Sequence, residues 1–337
     1  MDEISIMQIA LDEAKKGAGL VSPNPLVGAV LTKNNKIVAK GFHGEDGKLH
    51  AERVVVLKAK KKKINLDGSI LYVTLEPCCH YGKTPPCTDI LIQSGIKKVF
   101  IAQLDPNPLV RGKGIEILKK NGIECELSIM EEKAKYQIRF YRYWIQNKLP
   151  YFFAKLAISR DGFYAQKNKN ILISDKKTKL KTKELRNNFD AILVGKKTLK
   201  IDNPKLNTSK KKLIKIIFCK SADFPVKDFE IFKDNNVMVA CKEKKAICDF
   251  SGKILIYKNL IDFKKKLFDL DIQSVLVEGG GELLKLFLDG GIIQELMIVK
   301  SKNVFLKKGL RCPDFKNFSF FKKRDFGKDV LNFYYPL

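Results

Sequence analysis

The sequence has few histidines, a shortage of acidic residues and no long apolar run. Its 337 residues include 3 histidines, and 64 basic residues outnumber 37 acidic ones, so the formal net charge is +27. The longest apolar stretches, such as Tyr151–Ile158, are broken by charged residues and fall far below the ~20 residues of a membrane-spanning helix. Asp2 and Glu3 stand where a secretory signal carries basic residues. We therefore expect a cytoplasmic protein with no membrane partner.

The excess of basic charge has two interpretations. A nucleic-acid-binding protein concentrates lysine and arginine on one face, whereas here the basic residues are spread from end to end. We therefore favour general lysine enrichment and expect no nucleic-acid partner. A nucleic-acid deaminase with a basic C-terminal module remains the alternative.

The positions of cysteine and histidine indicate which part of the chain could carry metal or acid–base chemistry. In a cytoplasmic protein the 8 cysteines are free thiols or metal ligands rather than disulfides. All three histidines, His43, His50 and His80, lie in the first quarter of the chain. Any imidazole chemistry must therefore occur there.

The hydrophobic pattern predicts two α/β domains that meet near residues 147–150. In the first half the predicted helices are 5–16, 50–59, 88–93 and 114–121, and the predicted strands are 27–31, 36–39, 69–75 and 97–102. In the second half the predicted strands are 151–158, 191–194, 213–219, 237–240, 253–257, 274–277, 296–300 and 330–335, and the one predicted helix is 282–288.

One cluster in the first half has the composition of a metal site. His50-Ala51-Glu52 opens a helix, and Pro77-Cys78 and Cys87 follow. One imidazole and two thiolates suit Zn²⁺ with a fourth position left for water, and Glu52 is close enough to move protons without ligating. The pattern resembles the zinc deaminase signature, except that Tyr81 stands where the second cysteine is usual. A buried cysteine pair with a capping histidine, or a structural zinc, are the alternatives.

About the first 145 residues closely resemble the deaminase half of the bifunctional riboflavin-biosynthesis deaminase/reductase family. The resemblance rests on Ser22-Pro23-Asn24-Pro25-Leu26-Val27-Gly28, Gly41-Phe42-His43, His50-Ala51-Glu52, the segment from Thr74 to Cys87, and Asp105-Pro106-Asn107-Pro108. It implies a cytidine-deaminase-like three-layer α/β/α domain over 1–146. It also implies zinc ligands His50, Cys78 and Cys87, Glu52 as proton shuttle, and substrate contacts from Asn24, His43, His80 and Lys83.

The second half has one notable local feature, a strand, glycine-rich turn and helix start at 274–283. Alone it is a weak phosphate-binding signal, and no Gly-x-Gly-x-x-Gly motif follows a strand. Residues 150 to about 300 nevertheless resemble the reductase half of the same family, through Lys155-Leu156-Ala157-Ile158-Ser159-Arg160-Asp161-Gly162, Asp190-Ala191-Ile192-Leu193-Val194-Gly195, Thr198-Leu199-Lys200-Ile201-Asp202-Asn203-Pro204 and Glu278-Gly279-Gly280.

That resemblance implies a dihydrofolate-reductase-like α/β domain over 150–337 that uses NADPH. Ala157, Thr198, Asp202 and Gly280 would then contact the cofactor, and Lys155, Arg186, Leu206 and Glu278 the substrate. The family pattern departs at Asn203, which replaces an aspartate, at Ser209, which replaces an arginine, and at Leu172, which replaces a tryptophan. A degenerate, inactive reductase half is therefore a further alternative.

The expected function is two successive steps of riboflavin biosynthesis. The first would be zinc-dependent hydrolytic deamination of 2,5-diamino-6-(5-phosphoribosylamino)pyrimidin-4(3H)-one. The second would be NADPH reduction of the ribosyl group of 5-amino-6-(5-phosphoribosylamino)uracil to ribityl. The expected cofactors are Zn²⁺ and NADPH, the partners small-molecule substrates, and the assembly a homo-oligomer by resemblance.

Overall fold

The chain divides into two units with separate cores. The computed structural model describes residues 1–166, 171–208, 213–243 and 250–337. By their internal contacts these form an N-terminal unit, Met1–Lys148, and a C-terminal unit, Leu149–Leu337. Ser209, one of the departures noted above, lies outside the described residues.

The N-terminal unit is built on a five-stranded sheet. Its strands are β1 (Gly28–Lys33), β2 (Lys36–Phe42), β3 (Ile70–Val73), β4 (Lys98–Ile101) and β5 (Glu124–Leu127). The order across the sheet is β2-β1-β3-β4-β5. β1 is antiparallel to both of its neighbours, whereas β3, β4 and β5 are parallel. Asn34 and Asn35 form the tight turn between β1 and β2 with positive φ of 49° and 58°, as hairpin turns require.

Helices cover both faces of this sheet. They are α1 (Glu3–Ala14), α2 (Ala51–Lys61), α3 (Cys87–Ile92), α4 (Lys113–Lys120), α5 (Glu131–Gln137) and α6 (Arg139–Asn147). Because strand side chains alternate, Val30, Tyr72 and Phe100 pack with α1 on one face. Their neighbours Leu31 and Val99 pack on the other face with α2, α3, α4 and α6. The expected three-layer α/β/α architecture is confirmed.

The C-terminal unit contains a nine-stranded mixed sheet. Its strands, with two short ones outside the sheet, are β6 (Tyr151–Ile158), β7 (Phe163–Ala165), β8 (Ala191–Gly195), β9 (Ile214–Phe218), β10 (Val237–Cys241), β11 (Lys253–Ile256), β12 (Ser274–Val277), β13 (Glu295–Ser301), β14 (Leu310–Arg311), β15 (Phe318–Phe326) and β16 (Asp329–Pro336). The order is β11-β10-β9-β8-β12-β6-β13-β16-β15, and β14 pairs with β7 separately.

Seven of these strands run parallel, and β16 and β15 add an antiparallel edge. The helices are α7 (Lys176–Leu185), α8 (Lys196–Asp202), α9 (Leu260–Phe268) and α10 (Gly281–Asp289). A cluster of buried side chains, including Phe152, Phe263 and Phe287, packs one face of the sheet against the helices. Parallel strands bring their carboxyl ends to one edge, where ligand sites of α/β proteins form.

The predicted elements are present, with ends that differ by a few residues, and several observed elements were not predicted. β5 and β15 are exposed edge strands, so their sequences lack the apolar run that marks a buried strand. α7 buries Thr178 and Thr182 rather than leucine or valine, which hides its inner face from a hydrophobicity pattern. In the described ranges, every helix is too short or too polar to cross a bilayer.

Candidate functional site

His50, Cys78 and Cys87 meet in the N-terminal unit. Their ligating atoms all lie within 4.8 Å of one another. The Nδ1 atom of His50 is 3.4 Å from each of the two Sγ atoms. Tetrahedral zinc with sulfur at about 2.3 Å and nitrogen at about 2.1 Å separates these atoms by about 3.6 Å, so the donor set fits zinc in both chemistry and size.

Backbone contacts explain how cysteines nine positions apart come together. The carbonyl of Cys78 accepts hydrogen bonds from the backbone N–H groups of Cys87 and Thr88, at 3.0 and 3.2 Å. The first turn of α3 is therefore bound to the Cys78 loop. Arg53, on α2 beside the metal ligand His50, donates to the carbonyls of Pro85 and Pro86. The segment between Cys78 and Cys87 therefore forms a loop whose two ends lie next to each other.

The two thiols are not equivalent, because the hydrogen bond with Cys78, followed by burial, raises the pKa of the Cys87 thiol well above its usual range. The hydrogen bond with Cys87, followed by that with His50, holds the pKa of the Cys78 thiol well below its usual range. The Nε2 atom of His50 lies 3.3 Å from the Thr84 hydroxyl, which orients the ring from behind. His50 therefore presents Nδ1 to the two sulfurs.

Glu52 is buried beside the three ligands in the first turn of α2. Burial, followed by the charge of the Cys78 sulfur, raises the pKa of its carboxyl to about 7. Its Oε2 atom has no hydrogen-bond partner among the described residues. A buried carboxylate that faces a pocket with a free oxygen is suited to proton transfer.

The four predicted substrate residues of this unit line one pocket of about 280 Å³, together with His50, Glu52 and Cys78. His43 Nδ1 donates to the Leu49 carbonyl at 3.1 Å, so its Nε2 accepts from Asn24 Nδ2, also at 3.1 Å. Burial lowers the pKa of His43, which agrees with this neutral tautomer. His80 and Lys83 are exposed at the rim. Their roles toward a substrate stay predictions.

Glu76 also lines this pocket, although it was not predicted as a site residue. Its buried carboxylate accepts backbone N–H bonds from Asp105, Gly112, Gly114 and Ile115, at 2.9 to 3.4 Å. It therefore caps α4 and binds the loop that carries Asp105 and Asn107, both of which line the pocket. A Cβ on Gly114 would lie 2.2 Å from the Pro77 carbonyl oxygen, so this close approach requires glycine.

In the C-terminal unit the structure brings Lys155, Arg186 and Glu278 together. Val277, the last residue of β12, pairs with Ala154 on the parallel strand β6. The residues that follow them, Glu278 and Lys155, are therefore also neighbours. Arg186 Nε and Nη2 donate to the two oxygens of Glu278, both at 2.9 Å. Burial lowers the pKa of Lys155, whereas Arg186 and Lys155 hold the pKa of Glu278 below its usual value despite burial.

Of the residues predicted to contact NADPH, Thr198 and Gly280 meet just beyond the carboxyl ends of β8 and β12. The Thr198 hydroxyl, in the first turn of α8, accepts from the Gly280 N–H at 3.3 Å, and Gly280 precedes α10. Ala157 is two residues beyond Lys155 on β6 and so faces the same side of the sheet. Asp202 ends α8. Leu206 is buried, and its backbone has a positive φ of 51°.

Comparisons with known proteins extend over both units. Residues 1–103 match the family model described as the cytidine and deoxycytidylate deaminase zinc-binding region, and residues 150–301 match the RibD C-terminal domain. The riboflavin biosynthesis protein RibD of Aquifex aeolicus is 37% identical, covering 91% of this chain and 89% of the relative. That of Buchnera aphidicola is 34% identical, covering 98% and 97%. The chain belongs to the RibD family.

Solved structures agree with this assignment. A diaminohydroxyphosphoribosylaminopyrimidine deaminase/5-amino-6-(5-phosphoribosylamino)uracil reductase from Thermotoga maritima is 35% identical, with a TM-score of 0.92 and coverage of 99% and 98%. This RibD protein is therefore a bifunctional enzyme of riboflavin biosynthesis, with a deamination step and a reduction step. Its cofactors are zinc and NADPH. The expected deaminase-like and reductase-like folds are confirmed.

One departure from the family pattern has a structural explanation. Asn203 adopts a left-handed conformation, φ 38°, at the end of α8. Its Nδ2 donates to the Asp228 carbonyl and its Oδ1 accepts from the Glu230 N–H. An aspartate carboxylate could not donate the first of these bonds, so asparagine suits this RibD chain locally.

Proposed function

We propose that this RibD enzyme deaminates 2,5-diamino-6-(5-phosphoribosylamino)pyrimidin-4(3H)-one and then reduces the ribosyl side chain of 5-amino-6-(5-phosphoribosylamino)uracil with NADPH. The observation that carries the first step is the meeting of His50 Nδ1, Cys78 Sγ and Cys87 Sγ beside the free Oε2 of Glu52. We assign the first step to residues 1–146 and the second to residues 150–337.

His50, Cys78 and Cys87 would hold the zinc ion. When bound, zinc acts as a Lewis acid that lowers the pKa of a water molecule. Glu52 Oε2 would pass one proton of the attacking water to the ring nitrogen and the second to the departing amino nitrogen, so that a ring carbonyl and ammonia result. The amide Nδ2 of Asn24 is engaged by His43 and Asp46, which leaves its Oδ1 to accept from an N–H of the pyrimidine. His80 and Lys83 face the ribosyl phosphate.

In the second step, NADPH when bound would supply a hydride to the ribosyl carbon C1′, whose bond to the ring oxygen breaks, and a proton from water would complete the hydroxyl that forms. Lys155 and Glu278 would orient the side chain, with Ala157, Thr198, Asp202 and Gly280 around the cofactor and Leu206 in contact with the substrate. The guanidinium of Arg186, predicted to contact the substrate, is directed at Glu278. A phosphate would be bound by the remaining Nη1 atom of Arg186, or by the whole guanidinium after its ion pair with Glu278 has rearranged.

The test is a paired assay on zinc-loaded protein with the diaminopyrimidinone substrate, followed by mass spectrometry. Without NADPH we expect loss of the amino group, and with NADPH a further gain of two hydrogens. Deamination without reduction would instead favour a degenerate C-terminal unit. An absence of both reactions in protein that holds zinc would refute the proposed substrate.

We also propose a cytoplasmic homo-oligomer. The cysteines of the described residues are free thiols, which suits a reducing compartment. β15 is an edge strand with exposed Phe320 and Phe321, a surface that a second copy of the chain would cover. Light scattering during size-exclusion chromatography tests the oligomer, because a monomer at micromolar concentration would contradict it.

A further inference from the structure

Asp46 lies in the deaminase pocket and binds two of the predicted substrate residues. Its Oδ2 is 2.6 Å from Lys83 Nζ, and its Oδ1 accepts from Asn24 Nδ2 at 3.1 Å. It lines the same pocket as Glu52. The sequence analysis gave Asp46 no role, because it stands in the loop between β2 and α2 outside the motifs that carried the resemblance.

We propose that Asp46 is a counter-ion that competes with phosphate for Lys83 and so sets how selectively the pocket binds anions. This inference rests on the proposed function for the placement of the substrate phosphate at Lys83. Asp46 is a specificity-determining residue in this scheme and takes no part in proton transfer.

The two side chains of the ion pair differ in their exposure to solvent and in how many partners hold them. The Lys83 side chain is 67% exposed, whereas that of Asp46 is 27% exposed and is also held by Asn24. An ion pair open to water is weak, so a phosphate with nearly two negative charges can draw Lys83 away. The Asp46 carboxylate stays behind, because Asn24 retains it, and repels any anion that Lys83 binds.

This repulsion acts unequally on different ligands. Inorganic phosphate and ribose 5-phosphate gain the contacts with Lys83 and His80 and none to a pyrimidine, so Asp46 weakens their binding directly. The full substrate also offers its pyrimidine to Asn24 Oδ1, and the hydrogen bond from Asn24 Nδ2 to Asp46 holds that amide in place, so Asp46 helps the ring to bind while it repels the phosphate. Asp46 thereby keeps the pocket from being occupied by free phosphate or by phosphosugars that lack the ring.

The central experiment compares wild type with Asp46→Asn in full-length, zinc-loaded protein. Asparagine Oδ1 can still accept from Asn24, whereas the negative charge is removed. We expect the calorimetric Kd for inorganic phosphate and for ribose 5-phosphate to fall about 3- to 10-fold, as expected for one removed charge at close range near water. The KM for deamination should fall by a smaller factor, and added salt should reduce both differences.

Two further variants show whether the effect acts through Lys83. Lys83→Gln in the Asp46→Asn background should return phosphate affinity to the wild-type value or below it. Glu126→Gln is the matched control, because it removes the carboxylate of a similar 2.8 Å pair with Lys98 that does not line the pocket. It should leave phosphate affinity unchanged.

The outcomes separate this inference from the proposed function. Unchanged or weaker phosphate binding by Asp46→Asn, in protein that deaminates the diaminopyrimidinone, would overturn the counter-ion role. A raised KM would do the same, since it would show that Asp46 contacts the substrate directly. Tighter phosphate binding through Lys83 in protein that does not deaminate that substrate would preserve the counter-ion role and refute the proposed function.

Discussion

The two units of this RibD enzyme build their sites in different ways. In the N-terminal unit, two short segments around His50 and between Cys78 and Cys87 supply the predicted metal ligands, and backbone hydrogen bonds between Cys78 and the start of α3 hold the two cysteines together. In the C-terminal unit, Arg186 and Glu278 are 92 positions apart and already bind one another. The first site is prepared for its cofactor, whereas the second holds its charges in an internal ion pair. The two reactions should therefore respond differently to single substitutions.

The largest expected effect is a loss of deamination that leaves the reduction step unchanged. Glu52→Gln removes the proton acceptor of deamination without removing a metal ligand, so deamination should slow by about 10³-fold. Zinc content, measured by mass spectrometry of the metal, should stay at one per chain, and reduction of the deaminated substrate should stay at the wild-type rate. Near-normal release of ammonia by this variant would refute the role of Glu52.

Glu278→Gln tests the C-terminal site in the same manner. The amide cannot match both donors of Arg186, and the partly buried guanidinium loses its charge partner. We expect reduction to slow by about 100-fold, with deamination unaffected. Equal losses of both activities would instead indicate that the substitution unfolds the protein.

Glu278→Gln also tests an expected pH dependence of the free energy of unfolding. The pKa of Glu278 is lowered from its ordinary value of 4.5 in the folded state, so its ion pair stabilises the C-terminal unit above pH 4.5. That stabilisation is lost as the pH falls below 4.5 through the folded-state pKa. Denaturation measured across this range should show a smaller fall in stability for Glu278→Gln than for wild type. Parallel curves would contradict the contribution.

A smaller effect is expected from Glu76, which joins the metal loop to α4. Glu76→Ala leaves four backbone N–H groups without their acceptor, so we expect a loss of about 2 kcal/mol in the free energy of unfolding of the N-terminal unit. Urea denaturation measures it. Glu132→Ala is the control, because the Glu132 side chain is 86% exposed and pairs only with Lys135 among the contacts described. Equal losses from both variants would argue against the role of Glu76.

The smallest effect concerns the divergence of the C-terminal unit. Asn203→Asp restores the residue usual in the family but loses the bond to the Asp228 carbonyl, at a cost of about 0.5 to 1 kcal/mol. The reductase rate should change less than about twofold, because Asn203 acts as a helix cap. A large gain in reductase rate would show that the divergence impairs the wild-type site.

The pattern of buried and exposed residues explains which elements were predictable. Buried strands such as β6 and β12 are mostly apolar and were predicted. The exposed edges β5 and β15 and the threonine-lined helix α7 have no such signal, because burial there depends on what packs against them. Asp105 and Asn107 were visible in a motif, yet their place at the pocket became apparent only from the fold.

By itself, the sequence determined the α/β class of both halves, and it predicted His50, Cys78 and Cys87 as zinc ligands with Glu52 beside them. Ligand chemistry and close spacing restrict such a set so strongly that short motifs suffice. Only the tertiary structure decided that Asp46 pairs with Lys83, that Glu76 caps α4, and that Arg186 is directed at Glu278. These contacts join segments about 37, 38 and 92 positions apart, and a charged side chain has many possible partners until packing fixes which one is near.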